Sequence, residues 1–311
     1  MNITSMTGNT EPDNLIRGII KKMKKDEIND TKQNGLWKNI MIRLMRNKLA
    51  IIGLYYIIFL ILLSLFATFF LDYSKAIDVN GLNRLQTPSL EHPFGTDALG
   101  RDVMSRIIFG ARISIIVGLV STTTAILIGG SLGAISGYYG GKFDNVIMRV
   151  IDMLSAIPGI LLAIAIIASL GANIFTLIIA LSIGGIAGYA RTVRASVLEI
   201  RHQEYIEAIM VCGASDLRII LLHIIPNSLA PVIVRATLGV GTAVISTASL
   251  SYLGLGVQPP TPEWGRILAE GQQYVQRPYL TIIPGLAIVS IVLAFNFFGD
   301  GLRDALDPKL K

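Results

Sequence analysis

Residues 153–190 read MLSAIPGILLAIAIIASLGANIFTLIIALSIGGIAGYA, 38 positions without one charged side chain. A helical membrane crossing takes about 20 apolar residues. The run is too long for one helix, so it must turn within itself. Gly171-Ala172-Asn173 is the place for the turn, because small residues and an asparagine leave a helix at little cost. The run then makes two spans.

Further uncharged runs occupy residues 49–71, 113–141, 236–262 and 278–299, each long enough for one crossing. Six spans follow, with both termini on one side. The chain of 311 residues is 52% hydrophobic and only 15% charged, and its mean hydropathy is +0.60, values that belong to an all-α polytopic membrane protein rather than to a soluble domain. The first apolar run starts only at Leu49 and spans 23 residues, which reads as a retained span and not as a cleavable signal. The net charge of +6 suits basic residues at membrane faces, and no aromatic-interleaved basic cluster points to nucleic acid. A single cysteine, Cys212, excludes an internal disulfide.

Lys and Arg set the orientation. With the N-terminus inside, 19 of the 27 basic residues fall in cytoplasmic segments and seven outside, with Arg235 near a membrane edge. The positive-inside rule favours this arrangement. The expected organisation is a cytoplasmic basic tail at 1–35, an interfacial elbow helix at 36–48, a first transmembrane helix at 49–71, and an extracytoplasmic segment with an amphipathic helix at 72–111. A transmembrane core at 112–299 includes a cytoplasmic segment at 194–227, and a cytoplasmic tail covers 300–311. In LWKNIMIRLMRNK, residues 36–48, Leu36, Ile40 and Leu44 share a face with Trp37, Met41 and Met45, while Lys38, Arg43 and Arg46 lie elsewhere, as in a helix lying on the inner leaflet. In GTDALGRDVMSRIIFG, residues 95–110, Asp97 to Arg101 and Asp102 to Arg106 have i,i+4 spacing beside an apolar stripe of Leu99, Val103, Ile107 and Ile108, which predicts the amphipathic outer helix.

The cytoplasmic stretch EYIEAIMVCGASDLRIILLHIIPN, residues 204–227, is unlike its greasy flanks. Residues 204–211 read as helix, Gly213 suits a left-handed position after its end, and Ser215 or Asp216 can cap a second short helix running to Ile225. Pro226 is expected to end that helix, with Asn227-Ser228 opening the fifth span. Such a bent knob either docks in a partner's groove or is a solvated loop; the pattern alone does not decide.

These residues resemble the EAA motif of permease subunits of binding-protein-dependent ABC importers. The motif has EAA, three residues, Gly, nine residues, an apolar position, one residue, then Leu-Pro. Glu207, Ala208 and Ile209 fill its first part, Gly213 falls in register, and His223, Ile225 and Pro226 fill the last. Ile209 replaces an alanine, His223 an aliphatic residue and Ile225 a leucine. HPFGTDALGRDVMSR at 92–106, YLGLGVQPPTPEWGRILAEG at 252–271 and GDGLRDALDPKLK at 299–311 are similar to the C-type permease subunit of peptide and nickel importers. The resemblance implies a type I importer half-pore paired with a second, non-identical permease. Two ATPase subunits use ATP and Mg, and an extracytoplasmic binding protein delivers the solute. It makes Glu204, Glu207, Ala208, Gly213, Ala214, His223 and Pro226 the ATPase-coupling residues.

The chain itself carries no GxxxxGK[ST] phosphate loop; the nearest stretch, 136–143, lacks the leading glycine and the hydroxyl after Lys142. ATP must then be bound by another chain, and no cofactor is expected on this one. An ion-coupled transporter would keep ionisable residues inside its spans, but Arg149, Asp152 and Arg235 all fall near expected cytoplasmic ends. Arg149 and Asp152 are spaced to pair with each other. His202, Cys212 and His223 lack the close two-ligand spacing of a zinc site, and no Ser/His/Asp set suggests a hydrolase.

In the fifth span Gly239, Thr242, Ser246 and Ser249 follow 3-4-3 spacing along one helix face. They either pack closely against another helix or form a neutral, hydrogen-bonding wall of a translocation path, and spacing does not separate the two. In the second span Gly118, Thr122, Ala125, Gly129 and Gly133 form a similar stripe with fewer hydroxyls, for which packing is the expectation. Nickel favours imidazole and thiolate ligands, and the six expected spans hold no His or Cys. Short peptides are therefore the expected solute, with nickel or a metal chelate as the alternative and a self-sufficient secondary transporter behind both.

Overall fold

A computed structural model describes residues 36–306; the expected basic tail at 1–35 and the end of the C-terminal tail lie outside them. Helix α1, Leu36–Arg46, turns at Asn47, whose side chain accepts from Ala50 N at 3.2 Å and so caps α2, Lys48–Phe70. Leu44 and Ile40 pack onto the far end of the last helix beside Ala50 and Ala305, while Met41 and Met45 stay exposed. One half of the apolar face of α1 is thus used inside the subunit.

A short helix α3, Ser74–Ile77, and a 3-10 turn, Gly81–Asn83, follow. The outer amphipathic helix expected from residue 97 onward does not form. Residues 97–101 make a turn in which the Asp97 carboxylate accepts from Leu99 N and Arg101 N, at 2.8 and 3.0 Å. Asp102 is the cap of α4, Val103–Tyr139. It accepts from Ser105 N at 2.7 Å and contacts His92 Nδ1 at 3.0 Å, so it serves the helix end instead of pairing with Arg106. Capping satisfies an orphan backbone donor, which an exposed i,i+4 pair would not.

Helix α4 runs unbroken for 37 residues and packs most extensively on α7, Ile174–Arg201. The small-residue stripe explains the closeness. A Cβ on Gly129 would run into Ile186 O, and one on Gly133 into Ala190 O. Between them come α5, Gly141–Ser155, and α6, Gly159–Leu170. The turn at 171–173 lies where expected, with Asn173 capping α7 by accepting from Thr176 N at 2.9 Å. A second break precedes it. The chain bends by 81° between α5 and α6, across Ala156-Ile157-Pro158, because proline disfavours helix in the residue before it. Helix α6 therefore has only 12 residues, about 18 Å of rise, against roughly 30 Å of hydrocarbon. Among the described residues, five helices are long and apolar enough to cross a membrane, and six crossings result if the bent pair counts as one.

After α8, Glu204–Val211, and α9, Asp216–Ile219, a π turn, Ile220–Ile224, leads into α10, Ile225–Tyr252. Pro226 does not end a helix. The Ile225 N–H reaches back to Ile220 O, and this widened turn carries the chain past the proline, which lacks a donor of its own. The Asn227 amide donates to His223 O at 2.6 Å. The result is one continuous 37-residue helix, Asp216–Tyr252. Helices α11, Trp264–Gln272, and α12, Tyr279–Leu306, complete the described chain, and α12 runs on as helix past residue 300, where a tail was expected.

The main apolar core joins α2, α4, α10, α11 and α12 around Ile115, Val244, Trp264 and Ile291. Trp264 is buried against Gly110, and its indole N–H donates to Ile107 O at 2.8 Å. Glu263 caps α11 through Gly265 N and Arg266 N. A separate core at the other end of α4 gathers Ala134 and Tyr138 with Val193, Val197, Ile206, Ile219 and Ile224. The bundle thus carries α8 and α9 at one end, and the 72–102 segment with α11 at the other.

Candidate functional site

The knob of residues 204–227 is anchored on one face and open on the other. Ile206, Ile219 and Ile224 enter the core against α4 and α7, and Tyr138 Oη donates to Asp216 Oδ1 at 2.7 Å. Glu204, Glu207 and Ala208 are exposed, as are Val211, Cys212 and Leu217; Ala214 and His223 are half-buried, and Pro226 is exposed. Gly213 has φ +79°, a left-handed conformation that costs an L side chain strain and glycine almost none. The elbow between α8 and α9 depends on it. Ser215 sits at the start of α9 without a side-chain cap bond.

Behind the knob, Asp144 accepts both Arg194 Nε and Nη2 at 2.6 Å, a two-pronged pair that fixes α5 against α7. Asp152 pairs with Arg191 at 2.9 Å, across helices, instead of with Arg149 along its own.

A cavity of about 480 Å3 opens between α4, α6, α7 and α10. Thr242 and Ser246 line it, with Gly239, and so do Ser121, Thr122 and Ala125 of α4. Gly118 instead faces Val240 and Val244, and Gly129 and Gly133 face α7. Ser249 is not in this cavity. It lines a separate hollow with Ile245, Tyr252 and Leu268, while Leu250 takes the next place on the cavity face of α10. The hydroxyl stripe therefore serves two surfaces.

Sequence reasoning passed over Arg235 and Tyr189, which also line the main cavity. Arg235 is expected near a membrane edge; it lies eight residues beyond Asn227, the last residue of the knob, in the continuous helix Asp216–Tyr252, and faces the cavity. A signal was present. Positions 235, 239, 242 and 246 keep the same 4-3-4 face, so the arginine continues the stripe.

At the opposite end, Asp97 and Glu270 hold two buried arginines. Arg101 reaches Asp97 and Glu270 at 2.7 Å each, and Arg106 reaches them at 2.6 and 2.8 Å. Arg266 adds a 3.1 Å contact to Glu270. Burial works against the charged Glu270 carboxylate, but the Arg106 and Arg101 guanidiniums outweigh it and hold the group below its usual range. This cluster clamps the 72–102 segment to α11.

Comparison with known proteins gives this geometry its context. Residues 129–311 match the binding-protein-dependent transport system inner membrane component family. The chain belongs to that family. Residues 35–88 of the permease match the N-terminal TM domain of oligopeptide transport permease C. It is 48% identical, over 88% of its length and 90% of the relative's, to the dipeptide transport system permease protein DppC of Alkalihalophilus pseudofirmus. It is 46% identical, over 88% and 91%, to the glutathione transport system permease protein GsiD of Escherichia coli. Its fold is like that of a chain in inward facing conformations of the MetNI methionine ABC transporter, with TM-score 0.55 at 21% identity, covering 66% of the permease and 97% of that chain. The permease is a multi-pass membrane protein and a transport component, without an enzyme's role.

Proposed function

We propose that the permease forms one half of the path by which an ATP-driven importer takes up short peptides through a bacterial cytoplasmic membrane. It pairs with a second, non-identical permease and with two ATPase subunits that use ATP and Mg, and it receives its cargo from an extracytoplasmic binding protein. The observation that carries this reading is the 48% identity to a dipeptide permease along nearly the whole chain. The cavity supports it: its lining offers hydroxyls and small residues suited to amides, and no imidazole or thiol that would suit nickel.

Orientation follows from the basic residues, which place both termini and the knob in the cytoplasm. The knob then meets an ATPase subunit. Glu204 and Glu207 on its open face offer charge to basic or hydrogen-bonding partners, and Val211 and Leu217, 88% and 67% exposed, offer apolar area for a groove. His223 and Pro226 act at the root of the knob, where the π turn joins it to α10.

The test is reconstitution of the permease with its partner subunits and binding protein in proteoliposomes. ATP-dependent uptake of di- or oligopeptides is expected. Uptake of a nickel chelate with no response to any peptide overturns the reading.

A further inference from the structure

Arg235 is the charged residue among those lining the main cavity, and no carboxylate lines it with the arginine. Among the described residues no ion pair to Arg235 forms. Yet space is kept for its head group. The guanidinium carbon lies 5.6 Å from the centroid of the Tyr189 ring, within cation–π range. A Cβ on Gly188 would run into Arg235 Nη2, and one on Gly239 into the Tyr189 hydroxyl. Two glycines on two helices thus clear room for a tyrosine and an arginine that lean on each other. Arg235 is exposed in the single subunit and faces a cavity between apolar helices, where a cation without a counter-charge is costly unless something uses it.

The remaining lining groups show what is missing. Ser121 donates its hydroxyl proton to Val117 O at 2.7 Å and Thr242 donates to Leu238 O at 3.2 Å, so both turn acceptor lone pairs toward the cavity. Tyr189 Oη donates to Arg235 O at 3.4 Å. Arg235 is then the strongest donor facing the space. Its planar fork matches a carboxylate, which can accept two parallel N–H bonds.

We propose that Arg235 is a carboxylate-binding and charge-selecting group of the translocation path, taking an anionic group of the peptide as it passes while hydroxyls along α4 and α10 meet its amides. The proposal rests on the peptide reading above. Cargo with additional negative charge is favoured and cargo with additional positive charge is disfavoured, because the arginine attracts the one and repels the other across the cavity.

The experiment compares the complete importer with variants in proteoliposomes, using short peptides of net charge −1, 0 and +1, each supplied at saturation of the binding protein. Arg235→Gln is expected to slow uptake of the anionic peptide about tenfold or more, the loss expected for a charge-assisted hydrogen bond, and to affect the cationic peptide least. Arg235→Lys keeps the charge without the fork. It should transport more slowly than the parent while preserving the charge order, and it carries the test if the glutamine variant fails to assemble. Equal losses for all three peptides, unchanged uptake in Arg235→Gln, or a flat charge order in Arg235→Lys overturns the proposal; equal losses point to an ion pair with a partner subunit. No uptake of any peptide by the unaltered importer overturns the peptide reading itself, and this proposal with it.

Discussion

Tyr138 and Asp216 meet at 2.7 Å, and through them the end of α4 holds the start of the helix that continues as α10. Tyr138 is buried in the core beneath the knob, whereas Asp216 is exposed. The knob is therefore tied to two helices that line the cavity.

Tyr138→Phe removes only the hydroxyl, so packing survives and the bond to Asp216 is lost. Such a bond, with its acceptor in water, contributes about 1 kcal/mol. The variant should insert and assemble normally, show faster hydrogen exchange at the amides of 216–224, and transport more slowly at a given rate of ATP hydrolysis. Unchanged exchange across that stretch would show that the bond does not secure the knob.

Gly213 makes the sharpest backbone demand in the knob. At φ +79° a β-branched side chain is a steric outlier, with a cost of about 1–3 kcal/mol. Gly213→Val should leave membrane insertion intact and lower peptide uptake, whereas Gly213→Asn should retain more of it, since asparagine tolerates the left-handed region. Equal transport by both variants and the parent would remove the elbow from the coupling route.

Much of this was legible in the sequence, and the misses have physical causes. Uncharged runs disclosed the long helices because a bilayer imposes length and polarity on a spanning segment. Gly213 was legible because only glycine takes its backbone shape freely. Pro226 misled because a π turn can carry a helix past a missing donor, a rearrangement that periodicity does not encode. Residues 97–101 misled because i,i+4 charges are equally compatible with a tight turn once Asp97 accepts two backbone N–H groups. Spacing did not separate Ser249 from Ser246, because it fixes a helix face while the neighbour on that face changes along its length.

That last difference can be measured. Ser246 lines the main cavity and Ser249 a separate hollow, so Ser246→Leu intrudes on the cavity proposed as the path and Ser249→Leu does not. Peptide uptake should fall several-fold in the first, because leucine fills cavity space and removes a hydroxyl from its wall, and stay near the parent's in the second. The reverse order would place the path on the other side of α10.

Acid should loosen the opposite end of the bundle. Glu270 is held below its ordinary value of 4.5, so its contribution to stability is complete above that value and is lost as pH falls through the lower pKa of the folded state. Protonation leaves Arg101 and Arg106 buried with Asp97 as their remaining anion. Thermal unfolding of the purified complex should shift down as pH is lowered from 6 toward 3, by less in Glu270→Gln, which has already lost that carboxylate. Asp97→Asn removes the anion shared by both arginines, and by the cost of breaking a buried pair it should destabilise the protein by about 3 kcal/mol. An identical acid shift in Glu270→Gln and the parent would assign the effect to other groups.

Cys212 supplies a built-in probe of sidedness. It is the chain's one cysteine, exposed at the end of α8, and in the proposed orientation it faces the cytoplasm. A membrane-impermeant maleimide should leave it unmodified in intact cells and modify it in inverted vesicles stripped of ATPase subunits. With the ATPases retained, modification should slow, because the same face of the knob is the one proposed to dock. A Cys212→Ser, Leu90→Cys variant moves the thiol to a fully exposed position in the 72–102 segment, and it should react in intact cells. Labelling of Cys212 from outside would invert the topology. Equal labelling rates with and without the ATPases would remove residue 212 from the docking face.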